Sequence, residues 1–523
     1  MPGHRIHARP ARRDDGRGCV SLRDDPDVLS AFLEDAAHFP GGHARAIATP
    51  TNEAEVVEVL RGATRVLTIG AQSSLTGGAT PMGDTLLSTS RLNRVLSIGD
   101  DAVRIEAGVT LADLDVALAR DHKYYPPVPT FMGAFAGGTV STNAAGAATF
   151  RHGTTRDWVR GLTVVLANGD VLDVERGACH AHRDGYFEIE RSAGVTRVPV
   201  PTYRMPRVAK LSAGYFAAAG MDLIDLFIGS EGTLGVIAEI TLKILPVRPA
   251  LCLAFVPASS RDGALALVEA LRRNPYVSAI EHMDTRCLAL LREDGVDRQF
   301  GVTIPDGTAI ALLVTLELPT DTTSEQAFDE IGRFQQVDTP LARFCRTLDA
   351  VAVLDSVEIA VPGDQSRASQ LLAVREAVPA AVNARVGRAQ ASIDGRIAKT
   401  AADMIVPFEH LAELMTLYDQ EFARRGLDAA VWGHISDGNL HPNVIPRSMD
   451  DVESGKEAIR KFGREVIRMG GSPLAEHGVG RNPIKQELLR ELYGDAGIEE
   501  MRAVKRSLDP EYKLAPGVIF NER

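Results

Sequence analysis

The chain has 523 residues, too many for one ordinary core, so two domains, or three with a terminal extension, are expected. With 45% hydrophobic and 24% charged residues it reads as a folded globular protein, and its net charge of -12 argues against the basic face that nucleic-acid binding needs. Five scattered cysteines (Cys19, Cys179, Cys252, Cys287, Cys345) fit neither a disulfide framework nor a thiolate zinc site, and no apolar run suits an export signal or a membrane span, so a cytoplasmic protein, at most peripheral to the inner membrane, is predicted.

Residues 1–44 read as an extension, with DPDVLSAFLEDAAHF forming one amphipathic helix. From Thr49 the pattern becomes regular: TPTNEAEVVEVLRGA is a capped helix, while RVLTIG, DTLLSTS and AVRIEAG are strands. LTVVLANGDVLDV predicts a hairpin with Asn168-Gly169 as a type I′ turn. Pro246 and Pro249 place a boundary near residue 248. Beyond it, LCLAFVP, DGALALVEALRRN, VSAIEHM and IALLVTLEL predict an antiparallel sheet with helices on one face, over residues 249–483. The tail, 484–523, is predicted to be helical and then to loop back to the first domain, 45–248. The fold class is α+β.

Three segments of the first domain are rich in glycine and small residues. GAQSSLTGG (Gly70–Gly78) follows a strand and offers backbone N–H groups to a phosphate, although it matches neither the Rossmann nor the P-loop pattern. The second, PPVPTFMGAFAGGTVSTNAAGAATFRHGTTRDWV, either packs backbones closely or leaves room for a flat ring. The third is LFIGSEGTLGVI.

The densest chemistry lies in VWGHISDGNLHPNVI. With Asp437-Gly438 as a two-residue turn, 434 and 441 face each other across a hairpin, and two imidazoles so placed chelate a divalent metal. Further on, SPLAEHGVG supplies Glu476 as an oxygen ligand and His477 as a general base. Each residue also has an ordinary reading, since a lone histidine more often serves as a structural hydrogen-bonder.

In this order, the three glycine-rich segments resemble the FAD-binding domain of the vanillyl-alcohol oxidase and p-cresol methylhydroxylase (PCMH) superfamily. The resemblance implies a two-subdomain PCMH-type domain plus a cap with an antiparallel sheet flanked by helices. It assigns the FAD pyrophosphate to Gly70, Ala71, Gln72, Ser73, Ser74, Leu75, Thr76, Gly77 and Gly78. It lays Pro129, Thr130, Gly133, Gly137, Gly138, Ser141, Thr142, Asn143, Gly146 and Gly153 along the flavin, and closes the cleft with Glu231, Gly232, Gly235, Val236 and Ile237. Gln72 and Ser73 stand where some relatives attach the flavin, which implies non-covalent FAD and leaves His152 as the alternative attachment point.

GHxxDGNxH followed by EHGxG is similar to the D-lactate dehydrogenase, glycolate oxidase D-subunit and D-2-hydroxyglutarate dehydrogenase group. That resemblance implies His434, His441 and Glu476 as ligands of Zn2+ or Mn2+, His477 as base, Asn443 near the substrate hydroxyl, and Arg375 and Lys399 on its carboxylate. Pro379 stands where hydroxyglutarate-type relatives have Thr, and Ala515-Pro516-Gly517-Val518 replaces their N-P-G-K. The function so implied is oxidation of a small D-2-hydroxy acid, D-lactate-like, to the 2-oxo acid, with hydride passing to FAD and the metal on the hydroxyl. A cytochrome, quinone or electron-transfer flavoprotein would be the acceptor, and a homodimer the assembly. The alternative is an oxidase of another alcohol or a transferase resembling the ether-lipid synthases, which shares the FAD fold but has no need of the two histidine motifs.

Overall fold

The computed structural model describes residues 3–12, 20–127, 129, 131–191 and 194–521. Thr130 and Cys19 therefore lie outside the described residues. In the first half, strands His43–Ala48, Met82–Ser88 and Val66–Ile69 form a parallel sheet with the second strand in the middle. Helix Glu53–Gly62 begins where the Asn52 side chain accepts from the Glu55 N–H at 3.0 Å, satisfying a donor that the first helical turn leaves free. Strands Val95–Ile98, Ala102–Glu106, Val236–Lys243, Val159–Val165 and Val171–Glu175 make a five-stranded antiparallel sheet in that spatial order.

Two local expectations in this half fail. The predicted N-terminal helix is only Pro26–Ser30. The chain after it wraps around the first glycine-rich loop instead: Ala36 donates to Gln72 O at 3.0 Å, Gln72 Nε2 donates to Phe32 O at 2.9 Å, and Phe39 covers Gly77. These backbone groups hold the loop, so they are not available to a helix. The hairpin turn is also longer than predicted. Val165 pairs with Val171, the Leu166 N–H donates to Asp170 O at 2.8 Å, and of Asn168 and Gly169 only Gly169 has positive φ, at 84°. A type I′ turn needs two such residues, whereas a three-residue loop closed by a left-handed glycine needs one.

The second half is built on an eight-stranded antiparallel sheet. Its spatial order is Glu358–Ala360, Ala250–Ala258, Ile310–Leu318, Val277–Asp284, Ala429–His434, Asn439–Val444 and Thr400–Ala401, with Met404–Ile405 also paired to Asn439–Val444. Helices cover both of its faces, not one. Cys252, Ala254 and Val256 pack with Leu267, Phe344 and Phe462, while the alternate residues Leu253 and Phe255 pack with Leu288, Leu291 and Val374. Residues 251–256 of the second strand are apolar at every position, and each face there therefore needs its own cover. The long helix Gln365–Ser392 lies on the second face and carries Pro379, which cannot donate to the Arg375 carbonyl one turn back.

After helix Pro483–Leu508 the chain runs beside strand Val66–Ile69. Val66 donates to Lys513 O at 2.8 Å and Ala515 donates to Val66 O at 2.8 Å. No helix among the described residues is long and apolar enough to cross a membrane.

Candidate active site

His434 ends one strand of a hairpin and His441 lies in the next, but they are not directly opposed. The register pairs His434 with Asn439 and Trp432 with His441, because a single 3-10 turn, Ile435–Asp437, and left-handed Gly438 make a four-residue connection. The two histidines are diagonal neighbours on one face, and their ring centroids are 5.4 Å apart, so the convergence survives the change of register. The Gly438 turn is forced by its surroundings: a Cβ there would lie 2.3 Å from Val406 O.

Glu476 and His477 reach the same place from the loop after helix Met449–Arg468. Asp403, on the short segment between Thr400–Ala401 and Met404–Ile405, fixes that loop. Its Oδ2 accepts the N–H groups of Glu476 at 2.7 Å and His477 at 3.0 Å, and its Oδ1 accepts from Asn439 Nδ2 at 2.9 Å.

The three imidazoles share one design. The Nδ1 of His434 lies 3.0 Å from Glu281, that of His441 3.4 Å from Asp403, and that of His477 3.0 Å from Asp403. The opposite nitrogens turn towards Glu476, with Nε2 of His434 at 3.3 Å, His441 at 3.9 Å and His477 at 3.9 Å from its carboxylate oxygens. A carboxylate thus stands behind each Nδ1 and leaves Nε2 outward, as in metal-ligating histidines, and it hydrogen-bonds the His434 ring, whereas His441 Nδ1 makes no hydrogen bond among the described residues. His434, His441 and Glu476 have ligand atoms all within 4.8 Å of one another, and Asp403, His441 and His477 form a second such group. Asp403 is already engaged by two backbone N–H groups and the Asn439 amide, so the first group is the better cation site. Two imidazoles and one carboxylate are a donor set suited to Zn2+ or a related ion.

Electrostatics separate the two histidines. Burial disfavours charge on His434, but Glu281 and Glu476 together outweigh it and raise the imidazole to about 9. Burial dominates at His441, pushing it down to about 3, so its imidazole stays neutral. Burial likewise opposes ionisation of Glu476, yet Lys210 and His434 hold its carboxyl well below the usual carboxylate range.

Lys210 and Asp403 were not singled out from the sequence. Lys210 is fully buried, with Nζ 2.5 Å from Glu476 Oε1 and 3.1 Å from Asp437 Oδ2. Neither residue belongs to a motif. The faint signal was a lysine among the apolar and small residues Val208, Ala209 and Leu211, and an aspartate between Ala402 and Met404.

Of the expected substrate residues, Asn443 is buried beside His441. Its Nδ2 donates to His441 O at 2.9 Å, and its Oδ1 has no hydrogen-bond partner. Arg375 enters the network through Glu281, whose carboxylate it grips with Nε and Nη2, both at 2.9 Å. Lys399 is exposed on the loop after that helix, and no carboxylate pairs with it among the described residues. A cavity of about 910 Å³ lies beyond Asp437, lined by residues including Phe150, Leu265, Arg272, Val406 and Phe408, and it does not reach the three histidines.

The glycine-rich segments meet at Val479–Arg481. Arg481 donates to Thr76 O at 3.0 Å, Glu231 donates to Ser141 O at 2.7 Å, and the Glu231 carboxylate accepts from Val479 and Gly480, both at 2.8 Å. Their small residues do two jobs. A Cβ at Gly77, Gly137 or Gly235 would come within 2.7 Å of Phe39, Ala107 or Val164, so those glycines serve close packing. A Cβ at Gly138 or Gly232 would meet nothing within 4 Å, which is the open cradle a flat ligand needs. Asn143, with φ 50°, is spent on Arg156 N and Leu211 O. His152 Nε2 is held by Glu317 at 2.7 Å.

Two family models match, FAD linked oxidases, C-terminal domain, over residues 248–519, and FAD binding domain, over residues 44–175. The chain is 28% identical over 483 residues to a D-lactate dehydrogenase of Anaerostipes hadrus, covering 90% of this chain and 88% of that one. It is 26% identical over 491 residues to the glycolate oxidase subunit GlcD of Bacillus subtilis, covering 91% and 88%. It is 28% identical over 513 residues to a D-2-hydroxyglutarate dehydrogenase of Xanthomonas citri pv. viticola, covering 96% and 94%. Among solved structures, an alkyldihydroxyacetonephosphate synthase superposes with a TM-score of 0.60 at 14% identity, covering 98% of this chain and 88% of that one, a likeness of fold. With its C-terminal model spanning more than half the chain and an FAD-binding model ahead of it, this protein belongs to the FAD-linked oxidases.

Proposed function

We propose that the chain oxidises a small D-2-hydroxy acid, D-lactate-like, to the corresponding 2-oxo acid. The observation that carries this reading is the convergence of three carboxylate-backed imidazoles on Glu476, next to the open glycines of a flavin cradle. Three relatives bear names of 2-hydroxy acid enzymes. When bound, FAD supplies the two-electron sink. A divalent cation, Zn2+ or Mn2+, held by His434, His441 and Glu476, supplies a positive charge that favours ionisation of a hydroxyl.

His477 serves as general base. Asp403 fixes its Nδ1 side, so Nε2 is the nitrogen that takes the proton, and its partial exposure keeps it within reach of substrate. Asn443 Oδ1, buried without a partner, accepts the substrate hydroxyl. Lys399 supplies a cation for the substrate carboxylate, as is expected of Arg375 too, but the Arg375 guanidinium is engaged by Glu281, which stands behind His434. Pro379 in place of a hydrogen-bonding Thr favours a lactate-sized or apolar acid over a long diacid. Electrons leave to a cytochrome, quinone or electron-transfer flavoprotein.

The test is anaerobic flavin bleaching with D- and L-lactate, glycolate, D-2-hydroxyglutarate and longer 2-hydroxy acids. D-lactate or an apolar D-acid should bleach the flavin fastest; no bleaching by any of them would sink the reading. His477→Asn should keep the flavin spectrum and lose roughly 10²–10⁴-fold in turnover. Near-parental rates would remove it from the role.

A further inference from the structure

Lys210 comes from the flavin-binding half yet ends inside the histidine cluster of the other half. Its side chain has 0% exposure, and a lysine so buried persists only where its charge is matched. Asp437 and Glu476 match it. The neighbouring backbone is stitched to the same loop, with Ser212 N donating to Leu474 O at 3.2 Å and Ser212 Oγ lying 3.3 Å from Glu476 O. Those bonds already join the halves at this point, so the ammonium needs a separate account.

The two oxygens of Glu476 have different neighbours. Oε1 is bonded by Lys210 Nζ and lies 3.3 Å from His434 Nε2, whereas Oε2 lies 3.9 Å from both His441 and His477 Nε2 and has no ammonium on it. We propose that Lys210 is a built-in counter-cation that restricts Glu476 to one freely available oxygen and keeps the divalent ion loosely held, with positions left for a 2-hydroxy acid. This rests on the metal reading given under Proposed function. Lys210 touches no substrate or flavin in this account and is a positioning residue.

The proposal makes a prediction opposite in sign to that of a merely structural joint. Removing a structural joint loosens the site and weakens cation binding. Removing a counter-cation frees the second oxygen, takes away a repulsive charge and tightens it.

The experiment uses flavin-loaded Lys210→Met and Lys210→Gln, freed of bound metal and titrated with Co2+ against a competing chelator. Cobalt absorption is recorded, because its bands report coordination number. Both variants lose the repulsive charge and should bind Co2+ more tightly, by about tenfold or more in Lys210→Met, which also frees Oε1. The visible bands of Lys210→Met should weaken as its coordination number rises, and KM for the 2-hydroxy acid should rise in both. Should Lys210→Met fail to fold, Lys210→Gln, which keeps a donor to Oε1, decides alone. Parental affinity and spectrum, or weaker binding, overturns the role of Lys210. A parent protein that takes up no Co2+, or takes it up unchanged after His434→Ala, overturns the metal reading itself.

Discussion

Glu476 and Glu231 are both enclosed carboxylates beside the same loop, one contributed by that loop and the other bonded to its Val479 and Gly480 N–H groups. Their surroundings are opposite. Glu476 has Lys210 on one oxygen and histidine nitrogens around both, so the penalty of burial is overcome and it is a fixed anion. Glu231 has only two backbone N–H groups and the more distant charge of Lys485, and burial pushes it up to about 7. Enclosure is thus common to both carboxylates; the counter-charge tells them apart.

The largest test of this contrast is Glu476→Gln. It removes the anion on which Lys210 and three imidazoles converge, and we expect loss of bound metal together with at least ~10²-fold loss of turnover. Metal analysis beside steady-state rates checks it; parental metal content would show that the convergence is not a ligand set. Asp403→Asn attacks the backing rather than the centre. Roughly 10–100-fold lower metal affinity or activity is expected, with flavin content unchanged.

Glu231→Gln should barely touch the metal and instead change how stability depends on pH. A carboxyl whose folded value is raised from 4.5 to about 7 stabilises the fold fully below about 4.5, and that contribution is lost as pH rises through about 7. The variant, which has no such proton, should therefore gain on the parent between pH 5 and 8, by at most roughly 3 kcal/mol in denaturant unfolding. A difference independent of pH would contradict the assignment. Smallest is Lys485→Met, which removes the attractive charge near Glu231 and should move the midpoint of that pH dependence upward by less than about one unit. A downward shift would mean that Lys485 does not act on Glu231.

Much of this site could be read from the sequence because its converging side chains lie close together in two short motifs. His434 and His441 flank one turn, and Glu476 and His477 are adjacent. The hairpin register was missed because Asp437-Gly438 looks like a complete two-residue turn, while the 3-10 turn from Ile435 carries two further residues. Lys210 and Asp403 escaped because a single charge in an unremarkable segment normally faces water; only the tertiary fold turns both inward. The second sheet misled for a related reason: Cys252 to Val256 shows no polar alternation, and a strand covered on both faces leaves no sign of sidedness.

The pairing of residues 513–515 with Val66 also bears on movement. The chain leaves the flavin-binding sheet after Lys243, builds the whole eight-stranded unit, and is sewn back beside Val66, with Lys513 Nζ also donating to Leu60 O at 2.8 Å. The eight-stranded unit is thus clasped at both ends, so neither end can part from the flavin-binding sheet without breaking these bonds.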